Sequence, residues 1–93
     1  MTNATTLVQQ AEAQNARYPQ YAGHWNGWVA QRVVRYIRTK AGEAFLNGDV
    51  VLVDPTSRHE GHLRRGGAKK IFVTAYSFRT QCDTSIPADW LEA

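Results

Sequence analysis

Two segments with the residue pattern of β-strands constrain the fold of this chain most strongly. Residues 70–78, KIFVTAYSF, alternate two sets of side chains, and one set carries Phe72, Tyr76 and Phe78. Because successive side chains of a strand point to opposite faces, this pattern predicts a strand whose aromatic row faces the core. Residues 48–55, GDVVLVDP, place a β-branched run between a glycine and a proline, which predicts a second strand. The chain is therefore expected to be mainly β.

The length and the cysteine content limit the class of protein. With 93 residues the chain has the size of one domain, and its 43% hydrophobic content is typical of globular proteins. The single cysteine, Cys82, excludes an intrachain disulfide and favours a reducing compartment, so we expect a cytoplasmic protein. The first residues lack the features of a signal peptide, and no apolar run is long enough to cross a bilayer. No membrane partner is expected.

The N-terminal part predicts one short helix. In residues 5–17, Thr6 and Gln9 have the spacing of a capping box, and Ala and Gln dominate the residues that follow. The apolar stripe is narrow, so we expect a helix that docks loosely or a partly disordered leader. Pro19 ends the helix. An aromatic and glycine-rich connection, which is either packed against the core or open to a ligand, then leads to residue 28.

Residues 28–39 fit both a helix and a strand. Ala30, Val33, Val34 and Ile37 recur at helical spacing, whereas seven of the twelve residues are of types that favour strands. The turn-like residues that follow, and a returning segment with an Asn-Gly turn, favour the strand. We predict a strand, with a helix as the alternative.

The order of these segments resembles a small SH3-like β-barrel over about residues 28–90. The residues that carry the resemblance are Phe45, Gly48, Asp49, Val51 and Val53, followed by residues 71–78 and 84–86. The resemblance implies a five-stranded barrel domain over residues 28–93, preceded by a short N-terminal α-helix and an aromatic connection over residues 1–27. Integron-encoded type II dihydrofolate reductases have a similar barrel and size, but their Val-Gln-Ile-Tyr active-site run is absent, so that activity is not implied. SH3-like folds carry many unrelated functions.

Positive charge is concentrated in the middle of the chain. Residues 54–70, DPTSRHEGHLRRGGAKK, hold five Lys or Arg residues against two carboxylates and predict a long, flexible loop. Guanidinium and ammonium groups on such a loop suit phosphate backbones, and the alternative is a solvated hairpin tip that protects a sheet edge. With the arginines of the preceding strand, the candidate polyanion-binding residues are Arg32, Arg35, Arg38, Arg58, Arg64, Arg65, Lys69 and Lys70. Ordinary surface ion pairs with Glu43, Asp83, Asp89 or Glu92 are the alternative for the strand arginines.

No catalytic or metal-binding pattern is complete. His59 and His62 are three residues apart in a glycine-containing segment, unlike the zinc-protease motif, so no metal site is expected. Ser57, His59 and Asp54 have the residue types of a catalytic triad, but nearness in sequence does not establish its geometry. We therefore expect no catalytic residues and no cofactor, and a protein that is not an enzyme.

These observations predict a non-enzymatic binding module that contacts nucleic acid or another polyanion, such as an acidic protein. The alternative is a protein-interaction module or a homo-oligomeric assembly subunit that uses an exposed aromatic cluster. The residues of that cluster are Tyr18, Tyr21, Trp25 and Trp28.

Overall fold

A computed structural model describes residues 3–35, 43–62 and 65–93. Within these residues the chain forms one α-helix, six β-strands and two short 3₁₀ turns. The helix is α1 (Ala4–Gln14), and the turns are Pro19–Tyr21 and Ala88–Trp90. The strands are β1 (Val29–Val33), β2 (Val50–Val53), β3 (His59–His62), β4 (Lys69–Ser77), β5 (Cys82–Pro87) and β6 (Leu91–Glu92).

The six strands form one curled antiparallel sheet, a half-barrel, in the order β3-β4-β2-β1-β6, with β5 paired to β4. The prediction of a mainly β fold with one N-terminal helix is thus confirmed, and the sheet is compatible with a small barrel. The described sheet has six strands, where the SH3-like resemblance implied five.

Two of the strands lie along the same edge of β4, one after the other. Val53 of β2 pairs with Ala75, and His59 of β3 pairs with Phe72. Residues 54–58 therefore bulge out opposite only two residues of β4. Bulges of this kind bend a strand and increase its twist, which suits a curled sheet.

Side chains inside this bulge complete the hydrogen bonding that the strands interrupt. The Asp54 N–H donates to Thr74 O over 2.9 Å, and the Thr74 N–H donates to Ser57 Oγ over 2.8 Å. The Asp54 carboxylate in turn accepts from the N–H and the hydroxyl of Thr56. The bulge is consequently a defined turn that supplies partners to the partly buried backbone groups of Thr74.

The prediction of one long loop over residues 54–70 is wrong. Four of its residues form β3, which pairs with β4 from His59–Phe72 to His62–Lys69. The sequence HEGH has little strand propensity of its own, so the pairing with β4 decides its conformation. This arrangement is closer to the alternative, a charged hairpin at the sheet edge.

The remaining strand predictions agree with the structure in kind and differ at their ends. The segments predicted at 48–55, 70–78 and 84–86 correspond to β2, β4 and β5. Gly48 has φ +93°, so the Asn-Gly turn uses the conformational freedom of glycine. After β5 the chain forms the 3₁₀ turn Ala88–Trp90.

The ambiguous segment 28–39 begins as a strand. Residues 29–33 form β1, which pairs with β2 on one side and β6 on the other, so the helical alternative is wrong for these residues. Residues 36–42, with most of the predicted turn, lie outside the described residues.

The N-terminal helix begins two residues before the predicted capping box. Asn3 is the N-cap, and its Oδ1 accepts a hydrogen bond from the Thr6 N–H over 2.9 Å. Thr6 is therefore inside α1 and does not cap it. Leu7 and Ala11 are buried against the sheet, so α1 docks more closely than the narrow apolar stripe suggested.

The sheet carries two buried apolar clusters, one on each face. The inner cluster, inside the curl of the sheet, comprises Val33, Ala44, Phe45, Val51, Val53, Val73, Ala75, Ile86 and Trp90. The outer cluster, between the sheet and α1, comprises Leu7, Ala11, Trp25, Trp28, Leu52 and Tyr76. The alternating rows of β4 divide between these clusters, with Val73 and Ala75 inside and Tyr76 outside. Of the row predicted as the core face, Tyr76 belongs to the outer cluster and Phe78 packs against it, whereas Phe72 is buried but belongs to neither cluster.

No helix within residues 3–35, 43–62 and 65–93 has the length and apolar character needed to cross a bilayer.

Candidate polyanion-binding groove

An open groove lies where β4 begins, beside the 3₁₀ turn Ala88–Trp90. It has a volume of about 550 Å³ and is lined by Arg58, Lys69, Lys70, Ile71, Ala88 and Asp89, which together we call the basic groove. Three of these six residues are cations and one is a carboxylate. The groove thus has an excess of positive charge around a half-exposed isoleucine.

The local fold brings these side chains together. Arg58 is the last residue of the bulge before β3, and Lys69 and Lys70 open β4 on the partner strand. The Lys69 side chain is 71% exposed and pairs only distantly with Glu60, at 3.8 Å. The Lys70 side chain is 31% exposed and lies deeper in the groove. The groove therefore offers one extended and one partly enclosed ammonium group.

Asp89 joins the two basic stretches that the sequence singled out. Its Oδ2 lies 3.1 Å from Lys70 Nζ and 3.5 Å from Arg35 Nη1. Arg35 follows β1 and Lys70 belongs to β4, so the arginine strand and the basic hairpin meet at this carboxylate. The sequence analysis named Asp89 as one of the carboxylates that could form ordinary ion pairs with the strand arginines, which was the alternative to polyanion binding.

Arg32 is also paired with the acidic C-terminal segment. Its Nη2 donates to Glu92 Oε1 over 2.6 Å, and the two residues are directly opposite each other in β1 and β6. Both side chains are 55% exposed. Exposed pairs of this kind contribute about 0–1 kcal/mol each, so they hold the arginines weakly. For Arg32 and Arg35, ion pairing is thus what the structure shows.

The other candidate cations are distributed as follows. Arg58 and Arg65 are exposed, and neither forms an ion pair with a carboxylate of the described residues. Arg38 and Arg64 lie outside the described residues. Arg79, which was not a candidate, pairs with Asp49.

The predicted exposed aromatic cluster is wrong for its two tryptophans. Trp25 is 2% exposed and Trp28 is 8% exposed, because both fill the space between α1 and the sheet. Tyr18 and Tyr21 remain exposed, at 40% and 36%, with their rings edge to face at 5.9 Å. The packed connection, which the sequence left open as an alternative, is therefore the structure that forms.

The Asp83 carboxylate, which no sequence pattern linked to the aromatic connection, holds Trp25 in place. Trp25 Nε1 donates to Asp83 Oδ1 over 3.1 Å, and His24 Nε2 lies 2.6 Å from Asp83 Oδ2. Asp83 belongs to β5, so the aromatic connection is tied to the far edge of the sheet. A separation of 58 residues along the chain leaves no local pattern that could reveal this contact.

The buried tyrosine of the outer cluster has two polar partners on the helix side. Tyr76 donates its hydroxyl proton to Gln14 Oε1 over 2.8 Å and accepts from Asn15 Nδ2 over 2.9 Å. Burial raises the pKa of Tyr76, and the charges of Asp83 and Cys82 add to this effect, while the hydrogen bond from Asn15 lowers it. The phenol is therefore a neutral link between helix and sheet.

The histidines of β3 are engaged locally. His59 Nδ1 lies 2.9 Å from Ser57 O, and His62 Nδ1 lies 2.6 Å from Gly67 O. Because the two histidines are three positions apart on one strand, their side chains point to opposite faces. Among the described residues, no three His, Cys, Asp or Glu side chains gather as metal ligands would.

Comparison of the chain with protein-family models, with curated proteins and with solved structures finds no match.

Proposed function

We propose that this protein is a non-enzymatic binding module that contacts nucleic acid or another polyanion through the basic groove. The observation that best supports the proposal is the lining of the groove, in which Arg58, Lys69 and Lys70 face a cavity with one carboxylate. Arginine pairs with phosphate through two parallel hydrogen bonds, and lysine acts as a point charge. Such contacts need no chemical step and give affinity to any phosphate polymer.

The ion pairs around the groove are compatible with this role. The side chains of Arg35 and Asp89 are 60% and 48% exposed, and those of Arg32 and Glu92 are both 55% exposed. Because such pairs are weak, an incoming phosphate can replace the carboxylate at little cost. Arg35, which follows β1 and pairs with Asp89, then extends the groove.

We also propose that the half-barrel is a small SH3-like barrel located in the cytoplasm. β5, the 3₁₀ turn and β6 follow one another and bring the chain back to β1, which supports a closed form. With β2 and β3 counted as one bent strand, the number of strands becomes five. An exposed free thiol, Cys82, supports a reducing compartment.

Fluorescence anisotropy with labelled DNA at several salt concentrations tests the groove. We expect binding that weakens steeply with salt, because each neutralised phosphate releases counterions. Replacing Arg58 and Lys69 with alanine should make the logarithmic salt slope on single-stranded DNA shallower by roughly 1.4, which is two phosphates' worth.

The matched control is the double variant Arg17→Ala/Arg79→Ala, which loses the same net charge away from the groove. It should keep most of the affinity and the slope. Equal losses in both variants would show that net charge alone attracts the polymer, and the absence of any salt-dependent binding would refute the proposal.

The two exposed tyrosines support a second candidate function, a protein-interaction or self-assembly surface. Tyr18 and Tyr21 border a hollow of about 200 Å³ beside the C-terminal end of α1. Tyrosines in such positions are common anchors of interfaces. Light scattering should then give a mass above 10.5 kDa for a self-assembling chain, and Tyr21→Ala should lower it. A monomer at high concentration would count against self-assembly.

A further inference from the structure

Strand β5 forms one edge of the sheet. It pairs with β4 along its whole length, from Ser77–Cys82 to Phe72–Pro87, and with no other strand of the described residues. These residue pairs follow one another without a bulge. We call the side of β5 that faces away from β4 the open edge. A regular strand of six residues at a sheet edge is a template with which another strand can pair.

The hydrogen bonds of Thr74 show which backbone groups of β5 lie on the open edge. The N–H and the C=O of Thr74 both bond to the bulge between β2 and β3, on the other side of β4. Thr74 is opposite Ser85, so the two form a non-hydrogen-bonded pair, and the N–H and C=O of Ser85 point away from β4. The strand repeats every two residues, so the same groups of Asp83 lie on the open edge as well. In the part of the chain that the structure describes, neither residue has a backbone hydrogen bond on this side.

The open edge lacks the charged side chains that commonly keep a strand from pairing with another chain. On the other side of β4, the edge strand β3 is preceded by Arg58, and its last residue is opposite Lys69. Within β5 the one charged side chain is that of Asp83, and its carboxylate is held by His24 and Trp25 of the same chain. One edge of the sheet is therefore guarded by cations, and the other presents exposed backbone without such protection.

The residues of β5 fit a second copy of β5 in an antiparallel arrangement. In a dimer with a two-fold axis, each copy offers the same surface to the other. If Asp83 lies opposite Ser85 of the second copy, their N–H and C=O groups form four hydrogen bonds around the axis. Thr84 then lies on the axis, opposite the same residue of the second copy, and cross-strand threonine pairs are favourable.

The neighbouring registers are less favourable. A shift of two residues in one direction sets Asp83 opposite Asp83, and like charges directly opposite each other are destabilising. A shift of two residues in the other direction sets Asp83 opposite Pro87, which has no N–H to donate. A shift of one residue sets the outward groups of one copy against residues whose groups point inward to β4. The open edge is thus self-complementary in one register.

From this edge we infer that the protein forms a symmetric dimer in which the β5 strands of two copies pair antiparallel around Thr84. The two sheets become one continuous sheet, and main-chain hydrogen bonds supply the affinity, as in other cases of strand addition. The inference does not depend on polyanion binding. It assigns self-association to a surface other than the one that carries Tyr18 and Tyr21.

Sedimentation equilibrium over a wide range of protein concentrations tests the dimer, and the parent should reach a mass of twice 10.5 kDa. Ser85→Pro removes one open-edge N–H from each chain and should raise the dissociation constant at least about tenfold. An edge strand accepts proline where the N–H points away from the sheet, and thermal unfolding checks that the variant folds. Ser85→Ala is the matched control, because it also loses the hydroxyl near His59 but keeps the N–H. It should dimerise as the parent does.

Cysteine cross-linking tests the register without relying on a proline variant. In the double variant Cys82→Ser/Thr84→Cys, the Cα atoms at position 84 of the two copies should be about 4.5 Å apart, within the range of a disulfide. In the parent, each Cys82 lies opposite Ile86 of the second copy, so the two Cys82 Cα atoms are roughly 14 Å apart, too far for a disulfide. Mild oxidation should therefore produce a covalent dimer much faster in the double variant than in the parent, as seen on a non-reducing gel.

Three results would overturn the inference. They are a monomeric parent at all concentrations, equal dissociation of Ser85→Pro and Ser85→Ala, and a double variant that cross-links no faster than the parent. If Tyr21→Ala dissociates the dimer and Ser85→Pro does not, self-association belongs to the tyrosines instead. Salt-dependent DNA binding is measured separately on the parent and on Ser85→Pro, so the polyanion proposal can fail or stand whatever the state of the dimer.

Discussion

At the scale of single residues, a few buried polar groups position the helix on the sheet. Tyr76 sits in the outer cluster and is 1% exposed, yet its hydroxyl is fully engaged with Gln14 and Asn15. The Asn15 side chain also donates to Ala11 O. Hydrogen bonds in such a place have a direction, so they select one orientation of the helix among those that would bury the same apolar area.

Replacing Tyr76 with phenylalanine tests this network. The variant keeps the ring but loses both hydrogen bonds, so the free energy of unfolding at neutral pH should fall by about 1–3 kcal/mol. Urea unfolding measures the difference. Tyr18→Phe is the control, since Tyr18 is 40% exposed and should change stability little.

Comparison of the Tyr76→Phe variant with the parent protein also tests how stability depends on pH, and the sign of the effect is defined. The pKa of Tyr76 is raised in the folded protein, so the unfolded chain loses this proton first as pH increases. The stabilisation is complete below the unfolded value of about 10 and is lost as pH rises through the folded value. The Tyr76→Phe variant should therefore lose less stability than the parent between pH 9 and 11 on this approximate scale. If the parent and the Tyr76→Phe variant lost stability in parallel as pH rises, the raised pKa of Tyr76 would be contradicted.

The sequence shows which side chains are aromatic or charged, but its local patterns do not show which of them are buried in the folded protein. Trp25 and Trp28 lie at the end of the aromatic connection, and nothing local indicates that a helix some ten positions earlier folds over them. Their burial depends on α1, on Leu52 and on Tyr76, which are distant in the chain. Asp83 completes the environment of Trp25 from β5 and is equally non-local.

At the scale of elements, the bulge between β2 and β3 is the feature that shapes the sheet. Because of the bulge, β2 and β3 can both pair with the same edge of β4. Where neither strand pairs with β4, a side chain of the bulge provides the hydrogen bond. Ser57 has a central part, because its hydroxyl accepts from the Thr74 N–H and donates to Asp54 O.

Replacing Ser57 with alanine should cost about 1–3 kcal/mol, because it leaves the Thr74 N–H without its partner in a partly buried place. Thr56→Ala is a suitable control, since the Thr56 hydroxyl bonds an exposed carboxylate. Amide hydrogen exchange gives a local readout, and Thr74 should exchange faster in the Ser57 variant. Unchanged exchange at Thr74 would show that this bond does not support the bulge.

The elements differ in how well the sequence predicted them, and propensity explains the difference. β2 and β4 have β-branched or aromatic runs, so their patterns are unambiguous. β1 fits two periods, and its pairing with β2 and β6 settles it as a strand. β3 reads HEGH, which has no strand pattern, and only the adjacent edge of β4 makes it one.

At the scale of the whole molecule, the two charged parts of the chain fold against each other. The C-terminal acidic residues Asp89 and Glu92 lie beside cations from β1 and β4. The sequence shows which residues are basic, but their partial neutralisation depends on a fold that brings residues 32 and 92 together. The candidate site is therefore a groove with part of its charge already balanced.

Asp89→Asn tests how that balance limits binding. The change releases Arg35 and Lys70 together, so affinity for single-stranded DNA at low salt should rise a few-fold, with a slope steeper by up to about 0.7. Glu12→Gln on α1 is the control, because it changes net charge equally at a site away from the groove. An equal gain in both variants would mean that Asp89 does not restrain the groove cations.

The pairing of β1 with β6 has a consequence for biosynthesis. Arg32 and Glu92 are 60 positions apart, and their strands join only after all of the intervening chain has been made. On the ribosome, β1 can pair with β2 early, but its other edge stays open until Leu91 and Glu92 emerge from the exit tunnel. Because open strand edges attract other chains, this interval is when a nascent copy is most exposed to wrong partners.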